Sequence, residues 1–347
     1  NITVSDSTDS DRNNSTIGIY AKDSSVNLLT DYGFQIKDNG IGLYAKNTDT
    51  STGTMNVRYT GANAAGVVGT GAYFEMTGSP ITNKLNVNVE NVSNTKEGMI
   101  GIYAAGGTFT NEGNVKIVNN DTLGFGIIAS GADVTNKGDI TLEDSLNPTK
   151  PNIGMYTAGS SPLRNMGKIT VGKNGIGIYV QKQTSANTTI ESKVSLGTTT
   201  DKPTINLAEG SVAAIVGENA HFDGGNAIIN LSGSGVGVYG LKGSVINVGN
   251  WTFNNNGHSA EEIRTKEGIA AIDNPSVDKD LKPGMVLSHV INGETYIVSG
   301  KTVKSVADGS IAAGKNIGLM AEGIKNPAGT TWTQGNYEIV NQGTINF

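Results

Sequence analysis

The chain contains no cysteine. This absence excludes disulfide bonds, zinc–thiolate sites and cysteine nucleophiles. Charged residues are also scarce, at 16% of 347 residues, and the net charge of −6 comes without a basic stripe, so nucleic acid is not an expected partner. The sequence has no apolar run of about 18 residues, the length needed to cross a membrane as a helix.

Glycine, by contrast, is abundant, with 48 residues, whereas the chain has only 8 prolines and 6% aromatic residues. Asparagine, threonine and serine are also frequent. This composition favours many short strands joined by tight turns over long helices. The apolar fraction of 36% predicts a thin core that repeats along the chain.

A short glycine-rich motif recurs along the chain. Its copies read IGIY at 17–20 and 100–103, GIGLY at 40–44, IGMY at 153–156, GIGIY at 175–179 and GVGVY at 235–239. The second glycine of the motif is matched at Gly18, Gly42, Gly66, Gly101, Gly126, Gly154, Gly177, Gly237 and Gly318, with alanine in its place at Ala213 and Ala270. Half of the intervals between these positions fall at 23–25 residues, which indicates a structural repeat.

A second motif, Asn-x-Gly-x-Ile-x-Val, follows the first by twelve or thirteen residues, as at Gly113, Gly138 and Gly167. Both motifs alternate apolar and polar side chains, which is the pattern of β-strands. A unit of about 24 residues cannot bury its own apolar face, but stacked units can. The repeat therefore predicts an all-β fold, a parallel β-helix (β-solenoid) of about 12–14 coils spaced about 4.8 Å apart.

Stacked coils place equivalent residues in columns. Ile19, Leu43, Ile102, Ile178 and Val238 are predicted to form one internal column. The tyrosine position of the motif reads Tyr20, Tyr44, Val68, Tyr103, Ile128, Tyr156, Tyr179, Ile215, Tyr239, Ile272 and Met320. Because tyrosine exchanges with apolar residues there, this column is expected to be mostly buried.

The residues Gly235–Gly240 also match the dinucleotide-binding pattern G-x-G-x-x-G. That pattern needs a following helix and an acidic residue within a βαβ unit, and neither follows here. The phrase also recurs throughout the chain. It is therefore interpreted as part of the repeat, and no cofactor is predicted.

The repeated GIGIYA phrases, followed by TNEGNVKI and TNKGDITL, resemble the passenger region of large autotransporter (type V secretion) adhesins, especially the fusobacterial type. The resemblance extends over essentially the whole chain. It implies a right-handed parallel β-helix displayed at the cell surface, on the outer membrane, as an extracellular passenger. It also implies a longer protein, whose missing parts would be a signal peptide and a C-terminal membrane β-barrel, the only expected contact with the membrane.

The function implied by this resemblance is adhesion. The expected partners are a host cell-surface receptor or glycan, or a partner bacterium, and the chain would be a rigid rod that mediates or presents attachment. No catalytic residue or metal ligand is carried over from the family, and no enzyme activity is expected. The alternative is a carbohydrate-active β-helix enzyme, a polysaccharide lyase or a tailspike-like depolymerase, which would need clustered carboxylates in a groove.

The histidines and the clustered aspartates do not indicate a metal or catalytic site. The three histidines, His221, His258 and His289, are far apart in sequence and are interpreted as surface residues. Asp6, Asp9 and Asp11 are close together, as calcium ligands are, but their spacing does not match the EF-hand pattern. A solvated loop is the preferred interpretation of that segment.

The longer intervals in the repeat predict insertion loops within a single β-helix segment at 1–347. These loops are expected at about 70–97, 181–210, 250–267 and 273–312. Loops on a rigid scaffold often carry recognition.

Two of these insertions contain candidate partner contacts. In the first, Tyr73 and Phe74 are adjacent, so one of them must face outward from a strand. In the last, two alternating runs flank Asn292-Gly293, which predicts a hairpin. Its candidate contacts are His289, Asn292, Glu294 and Tyr296.

The insertion at 250–267 carries a different local signal. Ser259 and Glu262 have the spacing of a capping box, and Gly268 follows as a stop. These residues predict a short surface helix.

Overall fold

The structure is a computed structural model of the chain. It describes residues 2–4, 16–28, 31–37, 40–60, 69–92, 98–118, 123–158, 161–181, 193–197, 200–217, 220–241, 244–247, 251–258 and 260–266. Beyond residue 266 it describes only the backbone of short strands. The regular secondary structure of these residues is entirely β-strand, and they include no helix that could span a membrane.

Three sheets form the body of the fold, and all their strand pairs are parallel except those made by β30 and β31 at the end of sheet II. Sheet I contains β1 Ile2–Val4, β4 Tyr32–Ile36, β7 Gly53–Tyr59, β10 Leu85–Asn91, β13 Val115–Val118, β16 Ile140–Leu142, β19 Ile169–Val171, β22 Thr204–Leu207, β25 Ile228–Leu231 and β28 Thr252–Asn254. Sheet II contains β2 Ile17–Lys22, β5 Ile41–Lys46, β8 Gly69–Glu75, β11 Met99–Ala105, β14 Gly124–Ser130, β17 Ile153–Ala158, β20 Ile176–Gln181, β23 Ser211–Val216, β26 Gly235–Gly240 and β29 Ala260–Lys266, followed by β31 Glu294–Ser299 and β30 Val286–Ile291. Sheet III contains β9 Ile81–Asn83, β12 Thr108–Asn111, β15 Asp133–Asn136, β18 Leu163–Asn165, β21 Lys193–Leu196, β24 His221–Asp223 and β27 Val245–Asn247.

Four further strand pairs are short. They are β3 Ser25–Val26 with β6 Asp49–Thr50, β32 Thr302–Val303 with β37 Thr344–Ile345, β33 Val306–Ala307 with β34 Asn316–Ile317, and β35 Ile324–Lys325 with β36 Trp332–Thr333.

The chain visits the three sheets in a fixed order. One coil runs from β11 in sheet II through β12 in sheet III to β13 in sheet I, and β14 then returns to sheet II beside β11. Each of these strands pairs in parallel with its equivalent one coil away. The prediction of an all-β parallel solenoid is therefore confirmed, with a repeat of roughly 28 residues rather than 24.

The third unit of the repeat differs from its predicted position. Tyr44 pairs with Tyr73, so the unit after Gly42 is centred on Gly71 and not on Gly66. Gly66 and Val68 lie outside the described residues. The segment 70–97, predicted to be an insertion, instead follows the regular repeat, because it contains most of β8 and all of β9 and β10, which are members of the three sheets.

The hydrophobic core runs along the axis of the solenoid. The predicted internal column is confirmed by the register, which links Ile19 to Leu43 and continues through Ala72, Ile102, Ile127, Met155, Ile178, Ala214 and Val238. Leu43, Ile102, Ile178 and Val238 are completely buried, and Ile19 packs against the same core.

The motif glycines are required by the close approach of successive coils. A Cβ atom on Gly126 would lie 2.4 Å from the carbonyl oxygen of Gly154, which real Cβ contacts do not reach. In the second motif, a Cβ on Gly138 would lie 2.0 Å from the carbonyl oxygen of Gly113. Both motifs therefore need glycine for inter-coil contact rather than for phosphate binding.

The asparagine of the second motif forms a buried ladder. Asn83, Asn111, Asn136 and Asn165 are completely buried in successive coils. The Nδ2 of each of the first three donates to the Oδ1 of the next asparagine at 2.7–2.8 Å. The same nitrogen donates to the carbonyl oxygen two residues further along its own chain, as Asn136 does to Gly138 at 2.8 Å. The amides thus satisfy each other and close the corner between sheets III and I.

The remaining predicted insertions also contain sheet strands. The segment 181–210 includes β21 and β22, and 250–267 includes β28 and β29. The predicted helix at Ser259 and Glu262 is wrong, because Glu262 lies in β29, which pairs in parallel with β26. Sheet pairing overrides the local capping signal there.

The buried asparagine ladder gives a direct stability test. Replacing Asn136 with leucine should destabilise the chain by about 1–3 kcal/mol, because buried groups on Asn111, Asn165 and Gly138 each lose a hydrogen bond. Denaturant unfolding followed by circular dichroism measures this cost.

The matched control is Asn165→Leu, at the end of the ladder. The next coil already carries a buried leucine, Leu196, at the equivalent position. Fewer polar groups lose a partner there, so the cost should be smaller than for Asn136→Leu. An equal or larger cost for the control would contradict the role assigned to the ladder.

Candidate functional site: an outward-facing tyrosine ladder

The tyrosine column lies on the outer face of sheet II, so the prediction that it is mostly buried is wrong. Tyr20 is 58% exposed, and Tyr44, Tyr73 and Tyr103 are half-buried. The neighbours of Tyr103, Ile102 and Ala104, are completely buried. Successive side chains of a strand point to opposite faces, so inward neighbours place the tyrosine outside.

The first four tyrosines of the column stack on one another. Ring centroids are 5.5 Å apart for Tyr20 and Tyr44, and 5.0 Å apart for both Tyr44–Tyr73 and Tyr73–Tyr103. The interplanar angles fall from 27° to 11° and 7° along this series. We call these four residues the tyrosine ladder. Its spacing follows from the distance between paired strands, because one ring comes from each coil.

An aliphatic column runs beside the tyrosines. Ile41, Ile100, Ile153 and Ile176 occupy equivalent positions in the register and are at least nine-tenths buried. Phe125, the equivalent residue of β14, packs against Tyr156 of the tyrosine column with ring centroids 5.4 Å apart, so the two columns share the outer face. Together, the aliphatic column and the tyrosine column form an apolar stripe along the outside of sheet II, which we call the outer stripe.

One edge of the tyrosine ladder is closed by a polar cluster. The Tyr44 hydroxyl donates to Oε2 of Glu75, and Nζ of Lys46 lies 2.6 Å from Oε1 of the same carboxylate. The hydrogen bond from Lys46, and to a smaller extent that from Tyr44, holds the pKa of Glu75 below its ordinary value. Burial and the bond to Glu75 raise the pKa of Tyr44, and the bond to Glu75 raises the pKa of Lys46.

The stacking decides which parts of the tyrosines a partner can reach. In the tyrosine ladder each inner ring has a neighbour on both faces, so ring edges and hydroxyl groups remain for contact. Partly exposed aromatic edges suit contact with a broad protein or polymer surface. A sugar ring that stacks on an aromatic face would find the faces of Tyr44 and Tyr73 already covered.

The structure separates the two aromatic residues predicted in the 70–97 segment. Tyr73 faces outward in the tyrosine ladder, as a candidate contact should. Phe74 is completely buried and packs against Phe109 with ring centroids 4.9 Å apart. Phe74 is therefore a core residue, and its assignment as a partner contact is wrong.

The predicted hairpin is present as paired strands. In β30 and β31 the pairing runs from Val286 with Ser299 to Ile291 with Glu294. Asn292 and Gly293, which stand between these strands in the sequence, lie outside the described residues. Strand β31 also pairs antiparallel with β29, so the hairpin extends sheet II. The backbones of His289, Glu294 and Tyr296 lie in these strands, but their roles as contacts stay predictions.

Six carboxylates of the described coils form ion pairs with a neighbouring coil. Asp133 pairs with Arg164 at 2.7 Å, and Asp139 pairs with Lys168 at 3.0 Å. In the part of the chain that the structure describes, no group of three or more histidine, aspartate or glutamate side chains could hold a metal ion. The segment with Asp6, Asp9 and Asp11 lies outside the described residues.

Comparisons with known proteins add no relative. No protein-family model, no curated protein and no solved structure matches the chain.

The polar cluster at Glu75 predicts a pH-dependent contribution to stability. Because the pKa of Glu75 is lowered by folding, its contribution is present above the ordinary carboxylate pKa of 4.5 and is lost as pH falls through the lowered value. Glu75→Gln should therefore lower the melting temperature near neutral pH, and the difference from the unsubstituted chain should shrink in acid.

The control for this experiment is Glu143→Gln. Glu143 pairs with Lys116 at 2.9 Å, but both side chains are more than two-fifths exposed, so little effect is expected at any pH. A melting-temperature difference for Glu75→Gln that is constant or grows in acid would refute the assignment.

Proposed function

We propose that the chain is a segment of a surface-displayed autotransporter adhesin, a rigid β-helical rod that attaches its carrier to host cells, glycans or other bacteria. The observation that carries this proposal is the outer stripe, whose partly exposed tyrosines line the outer face of sheet II. The repeat phrases that resemble autotransporter passengers support the assignment to that class of protein.

Rigidity supports the first part of the proposal. Among the described residues, ten strands of sheet I and ten strands of sheet II are joined by continuous parallel pairing, from β1 to β28 and from β2 to β29. The buried asparagine ladder and inter-coil ion pairs add side-chain links along the same axis. A solenoid of this kind can hold a binding face at a distance from its attachment point without folding back.

The outer stripe supports the second part. Exposed apolar patches on soluble proteins mark interaction sites more often than isolated apolar residues do. Aromatic residues are also enriched where proteins contact one another. The stripe extends over successive coils, so a partner can make several equivalent contacts along the rod.

The enzymatic alternative, a polysaccharide lyase or a tailspike-like depolymerase, stays a prediction. Its distinguishing feature would be a pair of carboxylates held for catalysis. No specific observation among the described residues favours it over attachment.

A cell-binding assay tests the proposed function. The labelled chain is incubated with epithelial cells and with bacteria, and binding is measured by flow cytometry. If the outer stripe makes the contact, Tyr44→Ser combined with Tyr103→Ser should raise the half-saturating concentration about tenfold or more, a loss of roughly 1.4 kcal/mol. Circular dichroism checks that the variant keeps the fold.

Two further variants complete the experiment. Thr141→Ala with Thr170→Ala alters the outer face of sheet I, and this control should bind normally. Replacing 276–299 with a short Gly-Ser linker tests the hairpin separately. Absence of binding by the unsubstituted chain would refute the attachment function, and unchanged binding of the tyrosine variant would refute the outer stripe as the contact.

A further inference from the structure

The tyrosine ladder brings phenol groups from successive coils together in a chain that has no cysteine. We propose that the tyrosine ladder is a site of oxidative modification, at which Tyr73 forms a dityrosine cross-link with Tyr44 or Tyr103 and so joins neighbouring coils covalently. This inference is independent of the proposed attachment function.

The geometry favours Tyr73 as the common member of the cross-links. It has a nearly parallel tyrosine on each side, with both centroid distances at 5.0 Å. The three residues are direct partners in the strand register, so their ring carbons next to the hydroxyl occupy equivalent positions one coil apart. Side-chain rotation can bring two such carbons together while the backbone pairing is kept.

The oxidant for this cross-linking reaction is hydrogen peroxide, which a haem peroxidase uses to oxidise the tyrosines. Each of two tyrosines loses one electron to the oxidised haem and its phenolic proton to a base, which gives two phenoxyl radicals. The radicals couple through the ring carbons next to the oxygens, forming one carbon–carbon bond, and the two hydrogens on those carbons then return to the oxygens. Overall, two tyrosines and one hydrogen peroxide give one dityrosine and two waters.

Tyr20 and Glu75, which both contact Tyr44, assist the oxidation of the tyrosine ladder. Tyr20, at 58% exposure, is the member of the tyrosine ladder that a bulky oxidant can reach, and it stacks on Tyr44 at 5.5 Å. The Tyr44 hydroxyl donates to Glu75, so a carboxylate is in place to accept the phenolic proton as the electron leaves. Electron transfer between stacked, chemically identical phenols then carries the radical to Tyr73.

The cross-link would fasten two coils as a disulfide would. Joining Tyr44 to Tyr73, or Tyr73 to Tyr103, closes a loop of about 30 residues and restricts the unfolded chain. The cross-linked chain should therefore melt at a higher temperature than the untreated chain.

The test treats the dilute full chain with horseradish peroxidase and hydrogen peroxide. Monomeric product is isolated, dityrosine is detected by its fluorescence, and the joined peptides are identified by mass spectrometry. Tyr73→Phe keeps the ring but cannot form the phenoxyl radical. The matched control is Tyr239→Phe, since Tyr239 pairs with Ile215 and Arg264 and has no tyrosine on the adjacent strands.

The proposal predicts peptides that join Tyr73 to Tyr44 or Tyr103 in the unsubstituted chain and in Tyr239→Phe. It predicts their loss, with most of the monomer fluorescence, in Tyr73→Phe. Two results would overturn it. One is the absence of dityrosine in the monomer under conditions that couple free tyrosine, and the other is undiminished dityrosine fluorescence in Tyr73→Phe.

Discussion

The residue-to-residue register between successive coils is the constraint on which the rest of the structure depends. Parallel strands must lie about 4.8 Å apart, so equivalent residues of every coil are forced into contact. Glycine is required where a Cβ would meet the next backbone, as at Gly126 and Gly138. Asparagine is stable in the interior because its neighbour on the next coil is also asparagine, and each amide satisfies the other.

The same register creates the outer stripe. A side chain that is half-exposed in one coil is covered on both sides by its equivalents, so tyrosine rings stack at 5.0–5.5 Å. Stacking hides ring faces and presents edges and hydroxyl groups. The outer stripe is therefore a long, repeated surface. In the attachment function that we propose, many weak contacts along it would act together.

The sequence alone was sufficient to predict the solenoid and its internal column, because glycine spacing and period-two alternation report directly on stacked strands. It was not sufficient to place Tyr73. The unit before it carries extra residues, and Gly66 fits the motif as well as Gly71 does. Only strand pairing distinguishes the two.

The burial of the tyrosine column was predicted wrongly for a related reason. Exchange of tyrosine with isoleucine indicates an apolar environment, but an outer stripe provides that environment as well as a core does. The stronger signal was the alanine that follows Tyr44 and Tyr103, since a small inward residue places the preceding tyrosine outside. Similarly, the capping signal at Ser259 describes a local preference that pairing with β26 overrides.

The register is tested most directly by identifying which residue of the next coil lies beside Lys46. In the structure Lys46 pairs with Glu75, whereas a repeat anchored on Gly66 would place Thr70 there. Because the chain has no cysteine, Lys46→Cys with Glu75→Cys can be oxidised without competing thiols, and paired strands allow disulfide geometry. The register predicts an intramolecular disulfide in this variant and none in Lys46→Cys with Thr70→Cys. A disulfide in the second variant but not in the first would contradict the register and the place of Tyr73 in the tyrosine ladder.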